Sequence, residues 1–459
     1  MKDQSQRLGT QPIPKLLWNL SIPAMIGMFV MALYNVVDTL FIARGVGILG
    51  VAGVSIGFPV MMIMMAISAA VGIGGASVIS RRLGESKPEA ANKVFGNIIF
   101  IILLVSVVGI VGAFTFMEPL LVLFGATPDI LPYAVDYLFP IMIGSVFFSF
   151  SFTTNSIIRS EGNSRFAMIT MIIPAVLNII LDPIFIFVLD LGVQGASIAT
   201  VISQASTSVV VLHYFLSGKS SLELRLSEVK PRLPVIKETL TIGMPAFVRQ
   251  VAGSVMIISI NFMLIKYGGD FEVGVFGIVH KLTMFTIMPM IGVLQGMQPI
   301  IGYNYGARQF SRLRETIMLG MKVVTIISAF IFIVMMTLPE ILMHIFTGDA
   351  AVIDSGAHAM RIMFAMSVLI GVQVVSGGLY QALGMAKPAL ILSMARQVLF
   401  LIPLVLLLPN FFGVTGVWLA FPLADIMAFT LSILFLYKDR KLFFKKAEEP
   451  PAYAPVHPN

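Results

Sequence analysis

Two aspartates stand in the middle of apolar runs: Asp38 in MFVMALYNVVDTLFIA and Asp182 in MIIPAVLNIILDPIFIFVL. Each costs roughly 2.5–3.5 kcal/mol near a bilayer centre, so the two together cost on the order of 5–7 kcal/mol. A chain keeps such residues when they bind an ion or carry a proton. Polar neighbours stand at helical spacing: Tyr34 and Asn35 lie four and three positions before Asp38, and Asn178 lies four before Asp182. Each set therefore shares one helix face. Carboxylate, amide, hydroxyl and phenol oxygens suit a hard cation, and a buried carboxyl can equally hold a proton. Proton and sodium both stay open on this reading.

The elements that carry these residues follow from composition. Hydrophobic residues make up 58% of the 459 and charged residues only 12%, about half the share of a soluble domain. The chain is read as an all-α polytopic membrane protein, with twelve spans of roughly 20 residues. Apolar runs place them near 16–42, 51–79, 94–117, 133–158, 166–189 and 193–216, then near 238–265, 273–301, 316–338, 358–382, 389–409 and 413–437. The first residues lack the layout of a cleaved signal peptide. With no cysteine, disulfide and thiolate chemistry are excluded.

Net charge is +7, but its distribution argues against nucleic acid. Basic residues gather in every second loop: Arg81, Arg82 and Lys87; Arg159 and Arg165; Lys219 to Lys237; Arg308 to Arg314; and the tail from Lys438. The intervening loops are mostly acidic. By the positive-inside rule both termini face the cytoplasm.

The two sets of six spans repeat. Pro23 and Pro245, Gly84 and Gly306, Phe124 and Phe346, and Gly162 and Gly384 all stand 222 positions apart, and GVQGASIA at 192–199 matches GVTGVWLA at 413–420. The expected architecture is two pseudo-symmetric lobes related by an axis along the membrane normal, with a cavity between them. Domain limits are read as an N-terminal lobe at 1–216 holding the cation site, a cytoplasmic linker at 217–235, a C-terminal lobe at 236–437 and a cytoplasmic tail at 438–459. At the same offset Asp38 falls on Ile260 and Asp182 on Leu404. The intramembrane acid pair belongs to the first half alone.

Together these features resemble the multidrug and toxic compound extrusion (MATE) family. The resemblance covers nearly the whole chain. It rests on the SIP opening of span one, VVDTLFIA, ISRRLGE between spans two and three, IIRSEGNSR after span four, VLNIILDPIFIF in span five and GVQGASIATVISQ opening span six. Within the family the chain looks most like the branch named for the DNA-damage-inducible protein F. Other branches place an acid in spans seven, eight or ten, where this chain has Arg249 with Gln250, His280 with Lys281, and Gln373.

Carried over residue by residue, the resemblance implies an N-lobe network of Tyr34, Asp38, Asn155, Asn178, Asp182 and Thr200, with sodium, if it is the coupling ion, at Asp38, Asn178 and Asp182. Pro23, which removes a backbone donor from span one, is expected to act as a hinge. The implied function is a proton- or sodium-coupled antiporter exporting amphipathic, often cationic organic compounds. It would be a multi-pass monomer of the cell (inner, cytoplasmic) membrane, with no cofactor beyond the coupling ion and no nucleic-acid partner. The alternative on the same plan is a flippase for lipid-linked precursors, for which Arg249, Lys281 and Arg396 could hold pyrophosphate.

Arg249, His280, Lys281, Arg396 and Asp425 also fall within spans; they line a cavity or form a neutralising pair such as Arg396 with Asp425, and no spacing joins them. An intramembrane enzyme is not expected, since neither HExxH, nor a paired-aspartate protease pattern, nor a nucleophile triad occurs. GVGILG at 45–50 and GVSIG at 53–57 fit dinucleotide and hydrolase patterns, but no strand precedes either.

Overall fold

With no water in the hydrocarbon core, a spanning segment must satisfy its own backbone, and apolar runs of this length do so as helices. The computed structural model describes residues 3–443, so most of the 438–459 tail lies outside the described residues. Among the described residues every regular element is helical. Nine helices are long and apolar enough to cross a membrane, and two bent pairs bring the total to eleven. The longest, Leu233–Gly306, is two helices joined at Gly269, where φ is 70° and ψ −170°. Divided there, the described residues form twelve candidate spans.

In the first half they are α1 (Ile13–Gly45), α2 (Ile48–Gly84), α3 (Pro88–Leu123), α4 (Leu131–Ile143 with Ser145–Ser160, bent by 59°), α5 (Ser164–Pro183) and α6 (Gly192–Leu216). A π-helix, Ile184–Val188, continues α5. The second half has α7 (233–268), α8 (270–306), α9 (Phe310–Thr337), α10 (Ala350–Met363 with Ser367–Ala382, bent by 50°), α11 (Ala386–Phe412) and α12 (Val414–Lys438).

All twelve sit on the apolar runs of the sequence, but several are longer. The α2 helix continues through Arg81 and Arg82 to Gly84, because a helical ladder persists after apolarity ends. The α10 helix starts at Ala350 rather than near 358, since the Asp349 side chain caps it by accepting from the Ala351 N–H at 2.9 Å.

The repeat is written in the backbone as well. Left-handed φ values recur at Gly47 (83°) and Gly269 (70°), Ser86 (58°) and Arg308 (57°), and Gly162 (88°) and Gly384 (76°), each pair 222 residues apart. Gly192 (54°) and Gly413 (58°) follow at 221. Left-handed φ is sterically costly for non-glycine residues, so its return at Ser86 and Arg308 marks a shared turn geometry rather than glycine content.

Two compact units emerge from the packing. The first contains residues 22–79 and 88–251, the second 5–21, 80–87 and 252–443 of the described chain. The α1 helix passes from one unit to the other between Ser21 and Ile22, immediately before Pro23. In the first unit, Ile42, Tyr137, Ile141, Ile186, Val193 and Ala196 form a buried cluster. In the second, Trp418 and Phe276 anchor a larger core with ring centroids 6.2 Å apart. Large exposed apolar side chains such as Phe114, Val108 and Phe330 are those that hydrocarbon would cover.

The linker is pinned to the first unit. Asn92 Oδ1 on α3 accepts from the Glu223 N–H at 3.0 Å, and Asn97 Oδ1 from the Arg232 N–H at 2.7 Å. Arg225 pairs with Glu89 at 3.1 Å. Gly96 leaves room for the linker backbone: a Cβ there would stand 2.4 Å from the Glu228 carbonyl oxygen.

At the end of α4 the Glu161 carboxyl is fully buried and accepts from Ser220 Oγ (2.7 Å), the Ser221 N–H (2.9 Å) and Tyr214 Oη (3.3 Å). Burial pushes Glu161 up from 4.5 to about 7, against the pull of those three donors. A raised folded value means that docking is strongest below the ordinary pKa of 4.5 and weakens as pH rises through about 7. Hydrogen exchange of the linker, corrected for intrinsic rates, should therefore show protection increasing from pH 8 to pH 5.5, by at most on the order of 3 kcal/mol. Glu161→Gln should flatten that dependence.

Candidate functional site

The two acids come together because α1 and α5 both lie in the first unit. Asp38 and Asp182 stand within reach of a shared proton. Asp182 is fully buried and Asp38 nearly so. Asn178, one turn before Asp182 and also buried, donates from Nδ2 to Thr200 Oγ1 at 3.1 Å. Thr200 in turn donates to the Ala196 carbonyl at 3.0 Å. The Tyr34 hydroxyl lies beside Thr200 and close to both acids. Five sequence-predicted residues, Tyr34, Asp38, Asn178, Asp182 and Thr200, thus share one site.

Local sequence explains the placement. Pro183 follows Asp182 directly and offers no backbone N–H, and the chain then relaxes into the π-helix Ile184–Val188, with the Leu189 N–H reaching Ile184 O at 2.9 Å. Such wide turns occur frequently at functional sites. Here the wide turn begins two residues after the acid.

Four oxygens in the site are buried with no donor among the described residues: Asp38 Oδ1, Asn178 Oδ1, and both carboxylate oxygens of Asp182. Two neighbouring carboxylates in an apolar bundle cannot both remain negative and unpaired. One proton or one sodium ion cancels a single unit of that charge, and one of each cancels both. The donor set is oxygen only, which fits a hard ion such as sodium.

Asn155 stands apart from this site. Its Nδ2 donates to the Ala167 carbonyl at 2.7 Å and to Thr170 Oγ1 at 2.8 Å, and its Oδ1 accepts from Arg159. With both amide hydrogens and the carbonyl engaged, and a guanidinium attached, its polar contacts lie in a second cluster. Asn35 also leaves the acid face: it is exposed, and its Nδ2 donates to the Met31 carbonyl at 2.7 Å. Pro23 sits within an uninterrupted α1.

One neighbour escaped the sequence reading. Tyr137 on α4 is buried close to Asp38, Tyr34 and Asp182. Nothing in LPYAVDYLFP distinguishes it from packing, since its proximity depends on a helix far away in sequence.

Elsewhere in the spans, Arg249 and Lys281 are exposed, and His280 rests against the Phe276 ring, centroids 5.5 Å apart. Of the two readings left open for the charged residues within spans, Arg396 and Asp425 take the ion pair, at 2.6 Å. Arg361 pairs with Glu340, also at 2.6 Å.

Comparison with known proteins agrees with this architecture. One family model, described as MatE, matches twice, at residues 23–184 and 245–407. The matches begin at Pro23 and Pro245, the spacing of the repeat. The multidrug export protein MepA of Staphylococcus saprophyticus is 28% identical over 439 residues, covering 95% of this chain and 96% of its own. MepA of Staphylococcus aureus is 26% identical over 443 residues, covering 95% and 96%. Among solved structures, the MATE multidrug transporter DinF-BH in complex with rhodamine 6G aligns with a TM-score of 0.89 at 62% identity, covering 96% of this chain and 99% of that one. A MOP superfamily transporter from Pyrococcus furiosus aligns at 0.89 with 27% identity, covering 96% and 98%. With the family model spanning more than half of the chain and both repeats, this protein belongs to the MATE family of multidrug transporters, in its DinF-like branch.

Proposed function

We propose that this chain is a cation-coupled antiporter that exports amphipathic, often cationic organic compounds across the cell membrane by alternating access. The observation that carries the coupling is the pair Asp38–Asp182 with its four buried, donorless oxygens. No lysine or arginine of the chain is paired with either acid among the described salt bridges, so neutralisation falls to a proton or a metal cation from solution. A ligand shifts a conformational equilibrium only by its differential affinity for the two states. The α1 helix carries one acid, so bending near Pro23 changes the separation of Asp38 from Asp182 on α5. Cation occupancy then biases α1, and α1 conformation in turn sets cation affinity. The flippase reading finds less support, since the relatives named above are multidrug exporters.

Liposomes holding the purified protein test this with rhodamine 6G as the exported dye, under separately imposed proton and sodium gradients. Wild type should respond to one of them. Asp38→Asn should lower gradient-driven export at least tenfold with normal folding, because the amide keeps the shape but neither takes up a proton nor balances a cation. Asp182→Asn should do nearly the same. Export at wild-type rates by either variant would rule out the acid pair as the coupling site.

Pro23→Ala restores a backbone donor to α1 and should make the helix resist bending. Cation binding by calorimetry should survive while export falls severalfold. Equal transport by this variant would remove Pro23 from the mechanism.

Both termini and the linker are placed in the cytoplasm by the basic loops. Leu226, 84% exposed in the linker, is a suitable position for a single cysteine in this cysteine-free chain. Leu226→Cys should resist an impermeant thiol reagent in intact cells and react once they are opened.

A further inference from the structure

Leu226 and Leu233 are the most exposed large apolar side chains among the described residues, at 84% and 79%. Leu226 opens the short helical turn Leu226–Glu228 of the linker, and Leu233 is the first residue of α7. A single exposed leucine needs no explanation. Two on one docked strap have one in the place where that strap lies.

The linker runs along one face of α3. Arg225 pairs with Glu89, the Glu223 N–H reaches Asn92, and the Glu228 carbonyl lies over Gly96. At helical spacing the same face continues to Leu103, Val107 and Phe114. These three are exposed, and in a membrane they face lipid. Glu118, exposed near the far end of α3, bounds the hydrocarbon on that side. The hydrocarbon core is about 30 Å thick, or about 20 helical residues, so its near edge falls at Ile98. Gly96 and Asn97, where the linker is pinned, are within a turn of that edge. The strap therefore crosses the lipid-facing side of α3 at the level of the phospholipid headgroups. Leu233 agrees independently, since Met244 and Val251, both apolar and exposed, follow it on one face of α7.

The charge around the two leucines is positive and partly unspent. Arg225 is paired with Glu89 and Glu223, and Arg232 with Glu228. Lys219, Lys230 and Lys237 are exposed, and none is in an ion pair among the described residues. Exposed apolar side chains beside free ammonium groups suit a segment lying in the plane of an anionic membrane surface. We propose that the linker is a membrane-docking element: Leu226 and Leu233 immerse at the boundary between headgroups and acyl chains of the near leaflet, and Lys219, Lys230 and Lys237 hold the phosphates of anionic phospholipids. The lysine stems lie along apolar surface while the ammonium groups reach the headgroups. Asn92, Gly96 and Asn97 set the depth by fixing the linker backbone on α3. This zone is polar, so a cysteine at 226 stays within reach of aqueous thiol reagents. The docking needs neither a coupling ion nor a substrate, so it stands or falls apart from the transport scheme.

The test attaches the fluorophore NBD to Leu226→Cys, Leu233→Cys, Glu223→Cys or Leu103→Cys in this cysteine-free chain. Each full-length variant is reconstituted into vesicles of phosphatidylcholine and phosphatidylglycerol. A nitroxide at carbon five of the acyl chain, on either lipid, quenches a label that reaches that depth. Leu103, on the lipid-facing side of α3, sets the scale of full immersion. Labels at 226 and 233 should lose at least half of their emission, and the label at 223, pinned a turn farther out at Asn92, clearly less. At equal mole fraction the phosphatidylglycerol nitroxide should quench the label at 226 about 1.5-fold more than the phosphatidylcholine one, or better. Adding Lys219→Gln, Lys230→Gln and Lys237→Gln should remove that preference, and thermal unfolding checks that the chain folds. Each single lysine variant should lower the preference in part, and carries the test if the triple variant does not fold. Three results overturn the proposal: quenching at 226 and 233 no greater than at 223, equal quenching by the two lipids with the lysines in place, or a preference that survives in the folded lysine variants.

Discussion

A carboxylate in a hydrocarbon-bounded helix bundle must be neutralised, and the way each buried acid meets that requirement organises the molecule. Asp425 meets it with an arginine, Arg396, at 2.6 Å. Glu161, at the C-terminal end of α4, is met by three hydrogen-bond donors, two of them supplied by the linker. Asp38 and Asp182 meet it with neither. Their company is Asn178, Thr200, Tyr34 and Tyr137, all neutral. The first two arrangements draw their partners from the protein itself, although Asp425 Oδ2 has no hydrogen-bond donor among the described residues. The third has no ionic partner among the described residues.

The repeat shows how one backbone plan carries two chemistries. Left-handed turns recur at equal spacing after α1 and α7, α2 and α8, and α4 and α10, so the skeletons of the halves are copies. Side chains are not under the same constraint. Asp38 and Asp182 have Ile260 and Leu404 as counterparts, while Arg396 and Asp425 occur in the second half only. Each half also places a π-helical stretch in its fifth span, Ile184–Val188 in α5 and Ala395–Leu401 in α11. In α5 the stretch begins two residues after the acid, and in α11 it contains the arginine. Locally widened helices thus accompany the principal charged group of each half.

Proline and polar anchors give these elements their mechanical character. Pro23 lacks an N–H inside a long apolar helix, at the point where α1 leaves one compact unit for the other. An unbonded carbonyl in a low-dielectric bundle is costly, so bending there has a smaller cost than elsewhere on α1. The linker, by contrast, is held by Asn92, Asn97 and Glu161. It behaves as part of the first unit rather than as a tether of free length.

The amino-acid sequence by itself determined the membrane environment, the twelve spans, the repeat and the confinement of the acid pair to the first half. These follow from apolar run length, charge alternation and residue offset, which are properties of the chain alone. It also marked Tyr34, Asn178 and Asp182 through helical spacing, because residues four apart on a helix share a face wherever that helix packs. The family resemblance added Thr200 and Asn155. Only the tertiary structure decided which faces meet. It joined Thr200 to Asn178, brought in Tyr137 from α4, and turned Asn155 toward Arg159, since contacts between helices depend on rotation and depth that no local pattern encodes. Gly269 shows the same limit at the level of the backbone. A single residue with left-handed φ divides a 74-residue helical run into two spans, and its effect is visible only in the path of the chain.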